Sequence, residues 1–230
     1  MNNIVAPYPE VYRIPPPFAY RRWLYQPFVR ALMNKAQVTE GCTILDVGCG
    51  QGFFSGLFAD MGLKPLGVDV SLELIQSAKE NHEAKGASFE VGDAVSLLHE
   101  GEFDCVFVRG LSLYNCDDLQ RTHQVTKSLL RYLKPTGVLI FAYGTNLCPR
   151  KKKASWAYHC LPDTRAYFST YPASTVYFSL RLETLVLGSW AFSRPLTFLA
   201  SIISRAFGTG GELIAVVPRS SLDKIATSRL

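Results

Sequence analysis

Metal-ligand spacing is missing from this chain. Its six cysteines, at 42, 49, 105, 116, 148 and 160, form no C-x-x-C pair, and its four histidines show no paired spacing. That argues against a zinc centre and against a disulfide framework; several of these cysteines lie in or beside apolar runs, where the residue acts as a small hydrophobe. A long apolar run is missing too. The most apolar late stretch, Leu187 to Phe207, is broken by Arg194, Pro195 and Arg205, so no membrane span is expected. Met1 to Arg22 lacks the apolar core of a secretory leader and carries Pro7, Pro9 and Pro15 to Pro17, which makes a cytoplasmic protein the expectation. Acids are scarce late in the chain: residues 1–145 hold 13 Lys/Arg and 15 Asp/Glu, residues 146–230 hold 11 and 4. The two parts are −2 and +7, within a total of +5, and the basic part suits a solvated loop, an anionic acceptor or a membrane surface.

What is present describes one globular domain. Of 230 residues, 48% are hydrophobic and 19% charged, enough to bury a sizeable core. After a Pro-rich opening, Phe18 to Ala36 reads as a helix kinked or split at Pro27. Strand-like runs then fall at 43–47, 65–69, 88–91, 103–108 and 137–143, alternating with helix-like runs at 53–62, 71–85, 94–100 and 118–133. Ser71 and Asp117 are candidate helix caps. Such alternation implies an α/β fold with a mostly parallel sheet and helices on both faces. Asn146 to Arg165 reads as an insertion, Tyr171 to Leu180 as a short helix, Leu182 to Leu187 and Leu213 to Val217 as closing strands, and Ser193 to Phe207 as an amphipathic helix.

Chemistry concentrates in Thr43-Ile44-Leu45-Asp46-Val47-Gly48-Cys49-Gly50-Gln51-Gly52, a strand that runs into a glycine turn and then a helix. Such a turn lets backbone approach a ligand closely. Dinucleotide sites use G-x-G-x-x-G, whereas here the spacing is G-x-G-x-G with a carboxylate two residues ahead. The second strand ends in Gly67-Val68-Asp69-Val70, the third in Val91-Gly92-Asp93-Ala94, and the fourth opens Phe103-Asp104 and ends at Arg109-Gly110-Leu111; Leu133-Lys134-Pro135-Thr136-Gly137 follows. Taken in this order, roughly residues 40–145 resemble the class I S-adenosylmethionine-dependent methyltransferases, with Thr136 replacing a glycine of the family's pattern.

The resemblance implies a Rossmann-like sheet of seven strands with the last antiparallel, in one domain over 1–230. Within it, 1–40 would be an N-terminal lid helix, 41–145 the cofactor-binding core, 146–181 an insertion covering the acceptor, and 182–230 the closing strands. It implies S-adenosylmethionine as cofactor and S-adenosylhomocysteine as product. Gly48, Cys49, Gly50 and Gly52 would then cradle the methionine end, with Asp46 favouring its ammonium. Asp69 would accept from the ribose hydroxyls, and Asp93 and Ala94 would meet the adenine beside Val70. Arg109 would face either the methionine carboxylate or an acidic substrate, or make a structural ion pair.

Methyl transfer from a sulfonium needs positioning above all, and a base only where the acceptor loses a proton. His82, His99 and His123 read as structural or solvated, which leaves His159 as the candidate base. Tyr20, Trp23, Tyr114, Trp156, Tyr158 and Tyr167 are candidate acceptor contacts. The Asn-Pro-Pro-Tyr signature of enzymes that methylate exocyclic or amide nitrogens is absent after the fourth strand. A small-molecule or glycan acceptor is therefore favoured. An RNA or protein acceptor, with Arg150-Lys151-Lys152-Lys153 as a phosphate contact, and a non-catalytic cofactor-binding sensor or scaffold stand as alternatives.

Overall fold

A computed structural model describes residues 21–147 and 156–222. The Arg150 to Lys153 cluster, Cys148 and Tyr20 lie outside these described residues. Seven strands form one sheet: β1 Thr43–Val47, β2 Lys64–Asp69, β3 Ser88–Val91, β4 Phe103–Arg109, β5 Leu133–Thr145, β6 Thr175–Ser179 and β7 Gly211–Pro218. Their order is β3-β2-β1-β4-β5-β7-β6. β1 to β5 are parallel, and β7 runs against both β5 and β6. The expected sheet, with its last strand reversed, is therefore the one observed, and the order reverses direction between β1 and β4, where open α/β sheets bind ligands.

Among the described residues seven α-helices surround it: α1 Arg22–Lys35, α2 Phe53–Ala59, α3 Leu72–His82, α4 His123–Arg131, α5 Leu161–Ser169, α6 Thr184–Leu187 and α7 Arg194–Phe207. On one face of the sheet, Tyr25, Phe28 and Leu32 of α1 and Phe54 and Phe58 of α2 pack on Cys105 and Phe107 of β4. On the other, Leu129 and Leu130 of α4 and Tyr167 and Phe168 of α5 pack on Val106, Val108, Phe141 and Tyr143. From Cys105 to Val108 the odd and even residues of β4 thus serve opposite cores, as the period of two requires. Both faces are covered, so the strands read as nearly unbroken apolar runs.

Several expectations are corrected. Residues 94–100 form turns instead of a helix: the Tyr132 hydroxyl accepts from the Leu97 amide (3.2 Å) and donates to the Ala94 carbonyl (3.1 Å), holding the segment open. The expected 118–133 helix divides into a 3-10 turn, Leu119–Thr122, and α4, and its cap is Asp118, whose carboxylate accepts from the Gln120 amide at 2.9 Å. Ser71 caps α3 as expected, accepting from Leu74. Pro27 lies inside α1 without dividing it. The 171–180 helix is instead β6, because Thr175-Val176-Tyr177-Phe178 is β-branched and aromatic; Pro172 belongs to the turn before it and its carbonyl accepts from Ser221. The 182–187 strand is the short helix α6, and the insertion contains an unforeseen helix, α5, started by Cys160 and Pro162.

Candidate functional site at the carboxyl edge of the sheet

β1 lies between β2 and β4, with Asp46 level with Gly67 and Phe107. Its C-terminal loop therefore emerges beside the tip of β2. There the amides of Gly48 and Cys49 both donate to the Val68 carbonyl, at 2.8 and 3.0 Å, and the Gly50 amide donates to Asp69 Oδ2 at 3.0 Å. Gly48, Gly50 and Gly52 all adopt positive φ, 72°, 55° and 78°, a region unfavourable to other residues. Space separates the three. A Cβ on Gly52 would stand 2.8 Å from the Phe89 ring and one on Gly48 would stand 3.0 Å from Leu111, whereas one on Gly50 would meet nothing within 4 Å. Gly52 is fixed by packing; Gly50 borders an open space above Asp69.

Asp69 is buried, and its second oxygen accepts from the Ser71 amide at 3.0 Å. Two amides thus aim the carboxylate from either side. The next residue, Val70, is 53% exposed although apolar, whereas Ala94, in the turn after β3, is buried. Asp93 is exposed; its Oδ1 accepts from the Val95 amide at 3.1 Å, so it shapes the turn that presents Ala94.

Asp46 points inward. It is 2% exposed and accepts from the Ser55 hydroxyl at 2.6 Å, in the first turn of α2. Burial, partly offset by Ser55, raises its pKa to about 7, so near neutral pH it is poised between its two charge states. Burial also pushes the Cys49 thiol well up, which makes it a small apolar filler and a poor nucleophile.

Arg109, at the tip of β4, is committed to an ion pair. Its Nη2 lies 2.5 Å from Glu212 Oε1, and Arg181 Nη1 lies 3.0 Å from the same oxygen. The Tyr25 hydroxyl accepts from both guanidiniums, at 3.2 and 2.7 Å, and the Arg109 guanidinium lies over the Tyr25 and Phe54 rings. Of the three roles expected for Arg109, the structural ion pair is the one this geometry carries. Glu212, Arg181 and Tyr25 were missed from the sequence; the available signal was a lone acid, Glu212, opening the apolar run Leu213 to Val217.

The insertion crosses the same edge. The Ala157 amide donates to Asn115 Oδ1 (2.7 Å), Tyr143 donates to the Ala157 carbonyl (2.9 Å), and Thr145 to the His159 carbonyl (2.7 Å). This lays Trp156 flat on Tyr143, with ring centroids 5.1 Å apart, and beside Gly110. His159 is buried, its pKa lowered by burial, and its Nε2 donates to the Tyr114 carbonyl at 2.8 Å. Its proton is used to brace this crossing, so the structure gives the candidate base a positioning contact. The other histidines serve packing or surface contacts: His99 lies between Glu90 and Glu102, His123 contacts Tyr171 and Gln120, and His82 lies against Gly56. Tyr114 and Tyr167 are core residues sharing the Thr126 hydroxyl, and Trp23 is exposed on α1. Trp156 and Tyr158 are the expected aromatics left at the carboxyl edge. Among the described residues no group of acids, cysteines and histidines is placed to hold a metal.

A parallel sheet with one reversed strand, a glycine loop on its central strand and an aimed acid on the next defines a Rossmann-like nucleotide-type binding protein. A family model described as a methyltransferase domain matches residues 38–170. A tRNA (carboxymethyluridine(34)-5-O)-methyltransferase of Arabidopsis thaliana is 30% identical over 127 residues, 55% of this chain and 30% of that protein. A malonyl-[acyl-carrier protein] O-methyltransferase of Enterobacter lignolyticus is 27% identical over 154 residues, 66% of this chain and 59% of that protein. The solved Haemonchus contortus phosphoethanolamine N-methyltransferase 2, in complex with phosphomonomethylethanolamine and S-adenosylhomocysteine, shares the fold with a TM-score of 0.58 and 18% identity, covering 85% of this chain and 55% of that one. The chain thus spans less than two thirds of each of these proteins. It belongs to the class I S-adenosylmethionine-dependent methyltransferase family.

Two predictions follow from the loop. Gly50→Ala should cost only the strain of a left-handed alanine, about 1–2 kcal/mol, while Gly52→Ala should add an overpacking penalty of about 1–3 kcal/mol; urea denaturation of both variants checks the order. Because the folded pKa of Asp46 is raised to about 7 from 3.8, its folded form holds the proton more tightly, so its contribution to stability falls as pH rises from about 4 to 7 and is flat above. Asp46→Asn keeps the Ser55 contact without that titration. Its stability relative to the unaltered protein should climb by up to about 4 kcal/mol between pH 4 and 8, read from urea midpoints along that range.

Proposed function

We propose that the protein transfers a methyl group from S-adenosylmethionine to a small-molecule or glycan acceptor by in-line displacement. The observation that carries this reading is the open space over Gly50, bordered below by an aimed Asp69 and followed by the exposed apolar Val70. A ribose diol suits a carboxylate whose two oxygens are already oriented by amides. A flat adenine suits the apolar border made by Val70 and Ala94, with Asp93 at its rim.

When bound, the cofactor supplies a methyl group already activated on a cationic sulfur. The chain's own part is to position, to exclude water and to manage charge. Gly48 and Leu111 form the wall toward the methionine end. Asp46, poised near neutrality, becomes a full carboxylate where a cation approaches it. The Arg109 charge is drawn on to Glu212 and Tyr25, which removes a repulsive cation from the loop. Trp156, fixed over Gly110 by the crossing segment, forms the acceptor side. Likeness to the malonyl-[acyl-carrier protein] O-methyltransferase supports an acceptor presented as a small acyl group, and likeness to the Arabidopsis tRNA methyltransferase supports RNA as the second reading.

One experiment separates these acceptors: incubation of fractionated cell extract with methyl-labelled donor. Label in the small-molecule or glycan fraction is expected. Label confined to RNA or protein would overturn the acceptor class, and no label in any fraction, with cofactor bound, would favour a sensor or scaffold. For the cofactor itself, Asp69→Asn should weaken S-adenosylhomocysteine by about 2 kcal/mol in calorimetry; unchanged affinity in a folded variant would reject that role. His159→Ala should cost about 1–3 kcal/mol of stability by stranding the Tyr114 carbonyl, and should leave the shape of the pH–rate profile unmoved. Loss of the acidic limb, where activity falls as a base is protonated, would restore it as the base.

A further inference from the structure

The segment between β6 and β7 is built inside out. On α7 the residues turned to the protein are Thr197, Ala200, Ser201 and Ser204, all buried, while Phe198, Leu199 and Ile202 are exposed. The Thr197 hydroxyl accepts from the Phe178 amide of the edge strand β6, and Ser204 donates to the Thr209 carbonyl. The small polar face is therefore the docked one, and the large apolar face is left outward. α6 and the 3-10 turn Gly188–Ala191 continue the ridge, with Val186 at 86% and Trp190 at 80% exposed, and Phe207 ends it at 76%. That turn packs on α1, whose Trp23 is also exposed. Seven large apolar side chains on neighbouring elements, each roughly half exposed or more, are the kind of surface that marks an interaction site.

The charges around the ridge choose its partner. Arg181 is paired with Glu212, which leaves Arg194 and Arg205 as the exposed charges carried by α7 itself. Arg194 and Arg205 are exposed and stand about three turns apart on one line of α7, along one flank of the apolar stripe. Exposed tryptophan and phenylalanine with flanking arginine match the layered chemistry of a bilayer interface, apolar below and anionic above. No described helix is long and apolar enough to cross a membrane, so such a ridge lies on the surface without spanning it. We infer that the α6–α7 ridge docks the protein on an anionic lipid surface, with Phe198, Ile202 and Trp190 inserted and Arg194 and Arg205 at the headgroups.

This inference is independent of the acceptor, and its test reads no activity. The full chain is floated with vesicles of phosphatidylcholine, with and without phosphatidylglycerol, and S-adenosylhomocysteine affinity is measured in parallel as a check on folding. Binding to the phosphatidylglycerol vesicles is expected, weakened at least about tenfold by the Phe198→Asp, Ile202→Asp pair with the cofactor affinity unchanged. Arg194→Glu with Arg205→Glu should remove the preference for phosphatidylglycerol. Failure to bind either vesicle, or binding that survives the aspartates, would overturn the inference. So would a dimer in light scattering that the same aspartates dissolve, which would assign the ridge to a second copy of the chain.

Discussion

The Val68 carbonyl and the Asp69 carboxylate at the tip of β2 hold the glycine loop in place before any ligand arrives. They take the amides of Gly48, Cys49 and Gly50 in succession. Directing three consecutive amides to one strand end takes the chain through left-handed conformations at Gly48 and Gly50, which glycine accepts, while Gly52 is held to glycine by its packing on Phe89. The same contacts fix what the loop can offer. With those amides used internally, it presents open space and the neighbouring acid more than hydrogen-bond donors. Parallel pairing of β1 with β2 makes this possible, since only a parallel neighbour brings its C-terminal end to the same edge.

A second knot, farther along the edge, does a different job. Glu212 is fully buried, and two guanidiniums share its Oε1 under the Tyr25 hydroxyl. The residues come from β4, from the segment just after β6, from β7 and from α1, so one carboxylate ties the closing strands and the N-terminal helix to the centre of the sheet. Such an arrangement contributes modestly to stability when intact, because desolvation offsets attraction, but losing one partner leaves a buried charge uncompensated. It sets a geometry more than it adds energy. The consequence for the site is that Arg109, placed one residue before Gly110, has its charge balanced away from the loop.

How much of this the sequence discloses depends on how local each determinant is. β1 to β5, α2 and α3 are written in short-range periodicity and turn residues, and so are Asp46, Asp69 and the glycines. Residues 94–100 were misread because Tyr132, more than thirty positions later, supplies the hydroxyl that holds them as turns. Pro172 suggested a helix start where the strong strand formers behind it prevail. Leu182 to Leu187 has the apolar content of a strand, yet with its large residues exposed it settles as a helical turn. The Glu212 knot joins residues from four separate parts of the chain, and no window of sequence contains it. His159 was singled out by residue type; its role is set by the Tyr114 carbonyl, which only the fold brings near.

The α7 helix shows the same limit in its sharpest form. Its amphipathic period is plain in the sequence, and the ordinary inference puts the apolar stripe inward. What decides otherwise is the surface on offer. The face of α7 that docks does so beside β6, an edge strand, where the Phe178 amide needs an acceptor and the backbone lies close; small hydroxyl residues answer both needs, and Phe198 or Ile202 would not fit. Once Thr197 is committed to the edge, with Ala200, Ser201 and Ser204 buried on the same face, the opposite stripe must face outward. Protecting the sheet edge from pairing with another chain and presenting an apolar ridge to an outside surface are therefore two results of one helix orientation.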